Sequence, residues 1–311
     1  MIEITAGKQP LQVVNPVIGA AGIFGFSGEY ARLIDLSKLG AIVTNPVTWK
    51  PRRAASGTRV VSLDSGVLVH TGLPNPGMHS VYRNYAAKWQ NSAAPIIVHV
   101  VATSPDEVGK CVQVLDMNDG IVGVEIGLSD QSTHRDARLM IGAARQNTTL
   151  PLMARLPLYY AAHVAAASEE AGADALVVAA PPRGTARDPL TGQLVGGRVY
   201  GPWLKALGLR AVGQIVQHVK IPVIGCGGIH NPDDARDYLE AGAVAVQVDS
   251  VAWVRPEMVE IIARNLGGLE LTRVAGALAD EWRPGFGETA ALRSHLLSSP
   301  PPIMPPNQLP E

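Results

Sequence analysis

The chain has 311 residues, of which 47% are hydrophobic and 17% charged, and its net charge is −1. This composition supports one large buried core and provides no basic field, so binding to nucleic acid or to an anionic membrane is not expected. The two cysteines, Cys111 and Cys226, form no disulfide framework, and the first residues lack the pattern of a signal peptide. No apolar run approaches the roughly 18 residues that span a bilayer. We therefore expect a reduced, cytoplasmic protein.

Short apolar runs alternate with helical patterns along the chain. The runs suited to buried parallel strands are residues 17–21, 41–44, 96–101, 122–126, 152–156, 175–179, 223–225 and 243–248. The helical patterns are residues 28–36, 79–90, 105–115, 133–145, 160–171, 204–219, 232–241 and 256–266. Eight strands that alternate with eight helices predict an α/β fold of the (β/α)8 TIM barrel type. A doubly wound open sheet is the alternative, but the even count favours closure.

Three segments fall outside this repeat. Residues 3–14 predict an N-terminal β-hairpin that plugs the bottom of the barrel. Residues 49–78 and 187–201 are long insertions between a strand and a helix, expected at the C-terminal face where barrel active sites lie. We expect residues 1–297 to form a single domain. Residues 298–311 contain six prolines and are predicted to be a disordered tail.

Two strand ends late in the chain carry the most informative pattern. The run 223–225 continues into Gly227 and Gly228, and the run 243–248 ends at Asp249 and Ser250. Glycine allows backbone N–H groups to approach a ligand, so two adjacent barrel strand ends of this kind predict a cup for a phosphate group. The alternative is that the glycines only make a tight turn between strand and helix.

Several motifs resemble those of the dihydroorotate dehydrogenases. They include residues 15–25, the Gly-Leu-Pro-Asn-Pro-Gly run at 72–77, Gly-Pro at 201–202 and residues 224–229, in order and at family spacing between about residue 2 and residue 266. The resemblance implies an FMN-binding (β/α)8 barrel and a flavin oxidoreductase with a small-molecule substrate. The chain most resembles the soluble class of the family, whose members form homodimers and sometimes recruit an electron-transfer subunit.

The resemblance also implies a set of flavin contacts. Those that match the family pattern or keep its chemistry are Ala20, Ala21, Gly22, Arg155, Gly201, Gly228, Ile229 and Ser250. Three further positions depart from it: Asn45 replaces a lysine, His99 an asparagine, and Asp249 the glycine beside the phosphate. A carboxylate at Asp249 would repel a phosphate dianion unless it points away or pairs with a base.

The active-site loop departs further from the family. Asp130 stands at the position of the catalytic base, although capping of the following helix is an alternative role for it. Asparagines that would bind the orotate ring are replaced, and the replacing residues are Val69, Gly127, Ser132 and Ala180. We therefore expect a substrate other than dihydroorotate. The expected substrate contacts are His70, Asn75 and Arg183.

Two functions remain open from the sequence. The first is a flavin oxidoreductase with a changed substrate and Asp130 as its acid/base. The second is a barrel that has lost the flavin and binds another phosphorylated or anionic small molecule, as a lyase, an isomerase or a non-catalytic binder. His70 and His99 could also be ordinary satisfied polar residues, and the histidines lack metal-ligand spacing, so no metal site is expected.

Overall fold

A computed structural model describes residues 1–274 of the chain. Its strands are β1 (Ile2–Glu3), β2 (Gln12–Val13), β3 (Val17–Gly19), β4 (Ala41–Val43), β5 (Val60–Leu63), β6 (Gly66–Val69), β7 (Ile96–Val101), β8 (Gly123–Gly127), β9 (Leu152–Pro157), β10 (Ala175–Ala180), β11 (Arg183–Arg187), β12 (Leu194–Tyr200), β13 (Val223–Cys226) and β14 (Ala245–Val248). Its α-helices are α1 (Met78–Gln90), α2 (Pro105–Leu115), α3 (His134–Arg145), α4 (Ala161–Glu170), α5 (Leu204–Ile215), α6 (Pro232–Glu240), α7 (Val251–Val254) and α8 (Pro256–Val274).

Eight of these strands close into a parallel barrel. The order around it is β10-β13-β14-β3-β4-β7-β8-β9, and each pair of neighbours runs in the same direction. The strands are almost wholly buried because helices cover the outside and side chains fill the inside. The predicted (β/α)8 barrel is therefore confirmed, and all eight predicted strands are present.

The N-terminal hairpin lies at the bottom of the barrel. β1 pairs with β2 in antiparallel register, and Ile4 beyond it is completely buried. The Ala6 N–H donates to the carbonyl of Asp174, one residue before β10 begins. This contact places the hairpin at the N-terminal ends of the strands, opposite the expected active-site face.

The two insertions join into one side sheet. Its strand order is β11-β12-β6-β5, with β12 paired to β6 so that Arg198 lies opposite Val69. The second insertion begins earlier than predicted, at Arg183, because β11 supplies the fourth strand. Sequence patterns did not reveal this sheet, because its pairing joins segments more than 100 residues apart.

Local signals set most helix boundaries. Ser104 accepts the N–H of Glu107, and Asn231 accepts the N–H of Asp234, each with a proline at the start of the helix. Thr133 forms a reciprocal capping box with Asp136.

The predicted helix 28–36 was wrong: this segment forms successive turns and then a short 3-10 helix, Leu36–Lys38, capped by Asp35. The Glu29 carboxylate accepts the N–H groups of Phe26 and Ser27, and such local bonds between side chain and backbone compete with a continuous α-helix.

The described barrel lies in one compact unit. The chain divides into Met1–Gly267 and Gly268–Glu311, and the barrel, its floor and the side sheet all belong to the first unit. The predicted tail 298–311 and the end of the predicted domain 1–297 lie outside the described residues, so these boundaries stay predictions. Within residues 1–274, no helix combines the length and hydropathy needed to cross a membrane.

Candidate active site

The carboxyl ends of the barrel strands form a mouth where most of the predicted site residues meet. Parallel neighbours in a closed barrel have their C-terminal ends on one face. The predicted flavin contacts that lie within or directly after these strands are Ala20, Ala21, Gly22, Asn45, His99, Arg155, Gly228, Ile229, Asp249 and Ser250. Gly201 follows β12 of the side sheet and lines a cavity at the same mouth.

The backbone after β3 and β4 lines one side of the mouth. The Ala20 N–H donates to the Val248 carbonyl at 2.9 Å, and Gly22 adopts a left-handed backbone with φ +83°. Asn45 follows β4, and its Oδ1 is buried without a hydrogen-bond partner among the described residues. An unpaired buried acceptor fits a ligand that brings an N–H or O–H donor.

Four polar side chains form a connected layer inside the barrel. His99 Nδ1 lies 2.7 Å from Glu125 Oε1, and Gln247 Nε2 donates to Glu125 Oε2 at 2.6 Å. Arg155 donates to Gln247 Oε1 at 3.3 Å, and the same Nη1 lies 3.6 Å from Glu125 Oε1. All four residues are at least 94% buried, so the layer is a fixed polar network in an otherwise apolar interior.

Glu125 is the charged centre of this layer. Burial acts to raise the pKa of Glu125, but the hydrogen bond from His99 and the positive charge of Arg155 outweigh it and lower that pKa below its ordinary value. The sequence analysis missed Glu125 and Gln247 as site residues. A signal was present, because a charged or amide residue inside an apolar strand requires a partner when it is buried.

Gly228 and Gly201 shape the narrow end of the mouth. A Cβ on Gly228 would lie 2.3 Å from the Lys205 backbone nitrogen, and one on Gly201 would lie 2.4 Å from the Ser65 carbonyl oxygen. Both obstacles are backbone atoms, so neither position accepts a side chain. The N–H groups of Gly228 and Ile229 donate to no acceptor among the described residues. Free donors of this kind suit a polar or anionic part of a ligand.

Asp249 lies directly behind this cup. Its Oδ1 accepts the Ser250 N–H at 2.5 Å and lies 3.1 Å from Ser250 Oγ, while its Oδ2 is buried and has no hydrogen-bond partner within the described part of the chain. Burial raises the pKa of Asp249, despite the hydrogen bond from Ser250 and the charge of Arg155. His230 Nε2 lies 3.3 Å from Ser250 Oγ on the other side, and burial lowers the pKa of this imidazole.

A cavity of about 630 Å³ opens beside the cup. Its walls come from β5, β6, the end of β12 and the segments after β13 and β14, and they include Val69, Gly201, His230, Ser250 and Trp253. The Tyr200 ring packs edge-on against Trp253 with 4.9 Å between centroids. Burial raises the pKa of Tyr200 to about 12, even with Arg155 nearby, so its hydroxyl stays protonated at neutral pH. Tyr200, Trp253 and His230 are further site residues that the sequence analysis missed.

Asp130 is held by two arginines from the side sheet. Its Oδ1 accepts Arg198 Nη1 at 2.6 Å, and its Oδ2 accepts Arg183 Nε at 3.1 Å. The cap of α3 is Thr133, so the helix-capping alternative for Asp130 was wrong. Arg183 is 66% exposed at the rim, and its contact with Asp130 ties the loop after β8 to β11.

Two other predicted substrate contacts, Asn75 and His70, belong to the first insertion. Asn75 is buried, and its amide binds the insertion itself: Oδ1 accepts the Gly77 N–H at 3.0 Å, and Nδ2 donates to Thr48 Oγ1 at 3.0 Å. His70 follows β6, donates its backbone N–H to Arg59 and does not line the cavity. The first placement corrects the prediction for Asn75, because no donor or acceptor of that amide is left for a ligand.

Comparison with known proteins identifies the relatives of this chain. The family model described as dihydroorotate dehydrogenase matches residues 8–269. The chain is 34% identical to the dihydroorotate dehydrogenase B (NAD(+)), catalytic subunit, of Desulforamulus reducens, over 82% of this chain and 90% of the relative. The proteins of the same name from Citrifermentans bemidjiense and Desulforudis audaxviator are 31% and 33% identical, over 85% and 82% of this chain and 92% and 89% of their own lengths.

Proposed function

Because the chain belongs to the dihydroorotate dehydrogenase family, we propose that it is an FMN-dependent oxidoreductase that acts on a small molecule other than dihydroorotate. The observation that carries this proposal is the convergence of a polar layer and a glycine-built cup on one barrel mouth. The cavity beside the cup has mostly apolar walls and a few polar groups, as a binding site for a cofactor requires.

The residues at the mouth match the hydrogen-bonding groups of most parts of a flavin nucleotide. Arg155 and the unpaired Asn45 Oδ1 offer a donor and an acceptor to the polar edge of a ring, and the backbone of residues 20–22 lies at the same mouth. The free N–H groups of Gly228 and Ile229, with Ser250, suit the polar tail. Bound FMN would supply an acceptor for a hydride, which is chemistry that amino-acid side chains do not provide. Asp249 is the exception to the fit, because its buried carboxylate lies beside the groups that would hold the phosphate.

The walls of the mouth argue for a changed substrate. Val69 presents an aliphatic side chain to the cavity, and Gly127 and Ala180 have no polar side-chain atoms. Ser132 Oγ accepts the Ser129 N–H at 3.0 Å and so stabilises its own loop. A planar ring with amide edges would therefore lose buried partners at each of these positions, at a cost of about 1–3 kcal/mol for each unpaired group.

Two measurements on purified protein test the proposal. The visible absorption spectrum should show bound oxidised flavin, and the flavin released on denaturation is identified by chromatography. The loaded protein is then mixed without oxygen with dihydroorotate, dihydrouracil and other small reduced ring compounds, and loss of flavin absorbance is followed. A colourless protein that takes up no flavin would support the flavin-free barrel. Rapid reduction by dihydroorotate would overturn the changed substrate.

The relatives also support a partner. Their names describe a catalytic subunit, so we propose that this chain passes electrons to a second, electron-transfer subunit. Co-purification of the tagged chain with neighbouring gene products tests this assembly. The homodimer and the cytoplasmic location stay predictions. The flavin-free alternative gains no support from these relatives, which are named as dehydrogenases.

A further inference from the structure

The contact between His99 and Glu125 fixes which imidazole nitrogen of His99 carries a hydrogen. The Glu125 carboxylate is fully buried and accepts Gln247 Nε2 on its other oxygen. An ionised carboxylate only accepts hydrogen bonds, so His99 Nδ1 must be the donor across the 2.7 Å contact. In a neutral imidazole with Nδ1 protonated, Nε2 then carries the free lone pair.

That free nitrogen lies at the end of β8. A Cβ on Gly127 would lie 2.5 Å from His99 Nε2, so the imidazole occupies the space that a side chain at residue 127 would fill. Nε2 makes no hydrogen bond to a described residue, and the side chain keeps 8% of its surface exposed. Gly127 is the last residue of β8, at the barrel mouth. The lone pair of Nε2 is therefore available to a ligand there.

Asp130, the acid/base predicted from the sequence, has no such freedom. Each of its oxygens already accepts a guanidinium N–H, one from Arg198 and one from Arg183. Both hydrogen bonds are charge-assisted, with a guanidinium group as the donor in each. Asp130 therefore holds the loop after β8 against the side sheet.

We propose that His99 is the catalytic acid/base of the proposed oxidoreductase and that Glu125 is its positioning residue. The reaction in this assignment rests on the proposed function, whereas the hydrogen bond between His99 and Glu125 does not depend on it. Carboxylate support of an imidazole is a general way to fix its tautomer and to stabilise the imidazolium that forms.

In the forward direction the substrate loses a proton and a hydride from neighbouring atoms. The proton passes to His99 Nε2, and the electron pair of that broken bond forms the new double bond of the product. Bound FMN would supply the two-electron oxidant that accepts the hydride. The His99 imidazolium, held by Glu125, then releases its proton to water.

The first test measures the tautomer directly. Protein labelled with ¹⁵N-histidine is studied by long-range ¹H–¹⁵N correlation NMR at about pH 8, above the ordinary titration range of histidine. His99→Asn assigns the signals, and it keeps an N–H donor near the position of Nδ1 while removing Nε2. We expect Nδ1 protonated and Nε2 unprotonated in the wild-type protein. We expect Glu125→Gln to change this pattern and Asp130→Asn to leave it unaltered. A proton on Nε2 in the wild-type protein would overturn the assignment.

The second test compares the rates of flavin reduction by dihydroorotate and dihydrouracil as probes. His99→Asn should slow reduction by about 10²–10⁴-fold, the usual contribution of a general acid or base. Glu125→Gln should slow it and change its pH dependence, whereas Asp130→Asn should have less than about a tenfold effect. A greater loss in Asp130→Asn than in His99→Asn would overturn the proposal. Absence of bound flavin would count against the proposed function, and where no probe reduces the flavin the NMR tautomer alone decides whether His99 can accept a proton at Nε2.

Discussion

Asp249 carries a carboxylate where the resemblance to the family implies that a phosphate binds nearby. Its Oδ1 accepts the Ser250 N–H, a donor that a phosphate could otherwise use, and its Oδ2 is buried with no partner in residues 1–274. Arg155 is the nearby cation, but it is shared with Glu125 and Gln247. An ionised Asp249 therefore opposes a dianion in a region of low dielectric.

Removal of this charge should tighten FMN binding. We expect Asp249→Asn, which keeps the size of the side chain, and Asp249→Gly to lower the Kd for FMN at least about tenfold, equivalent to about 1.4 kcal/mol. Riboflavin, which has no phosphate, serves as the control ligand and should bind the wild-type and variant proteins with similar Kd values. Fluorescence quenching on titration of the flavin-free protein measures both. Equal FMN affinity in all three proteins would show that Asp249 does not face the phosphate.

Gly127 should be intolerant of substitution. Gly127→Ala places a methyl group 2.5 Å from His99 Nε2, and the resulting displacement of a buried, paired imidazole should destabilise the protein by about 1–3 kcal/mol. Gly142→Ala on α3 is the matched control, because its Cβ would meet nothing within 4 Å and alanine favours a helix. Urea unfolding compares the two variants, and equal stability would mean that His99 moves aside without cost.

At the scale of elements, one acidic side chain joins the two insertions. Asp188 Oδ2 accepts the hydroxyl of Thr58 from the first insertion at 2.5 Å and that of Thr191 from the second at 2.6 Å. The Leu190 N–H donates to Oδ1 at 2.9 Å. The hydrogen bonds from Thr191 and Thr58 lower the pKa of Asp188 to about 2. The side sheet over the mouth thus depends on an ionised Asp188.

This junction should open in acid. Since the folded pKa lies below the unfolded value of about 4, the stabilisation is complete above that value and is lost as the pH falls toward about 2. Cleavage by pepsin in residues 188–193 should therefore increase over this range. At neutral pH, Asp188→Ala should be cut there several times faster than the wild-type protein by a neutral protease.

Asp106→Ala is the control for this prediction, because Asp106 is an exposed acid of α2 that pairs only with Lys110 among the described residues. It should leave cleavage in residues 188–193 unchanged. An Asp188→Ala protein cut at the wild-type rate would mean that other contacts hold the insertions together.

At the scale of the whole molecule, a single core contains both cysteines. Cys111 on α2 faces the barrel, and Cys226 ends β13 beside Arg155. Burial raises the pKa of each thiol to about 12, although Arg155 acts to lower that of Cys226. The reactive thiolate is thus almost absent at neutral pH.

Both thiols should therefore be inert in the folded protein. We expect a disulfide reagent to react with neither cysteine of the native protein at neutral pH, and with both after denaturation in guanidinium chloride. Counting the released chromophore measures this directly. Rapid reaction of one thiol in the native protein would indicate local opening of the core, and Cys226→Ser would show whether it occurs at β13.

Local patterns in the sequence were sufficient to predict the eight barrel strands, most helix starts and the glycine pair after β13, because each depends on local periodicity, capping or backbone freedom. The chemistry at the mouth depends on contacts that form only when the chain folds. His99 and Glu125 lie on the neighbouring strands β7 and β8, whereas Gln247 comes from β14, 122 residues beyond Glu125, and no spacing in the sequence reveals that the three share a hydrogen-bond network. Asp130 likewise looked like a free acid until β11 and β12 placed Arg183 and Arg198 on its two oxygens. Such pairings arise from strand order and register, which fold distant segments together and so lie beyond what a local pattern encodes.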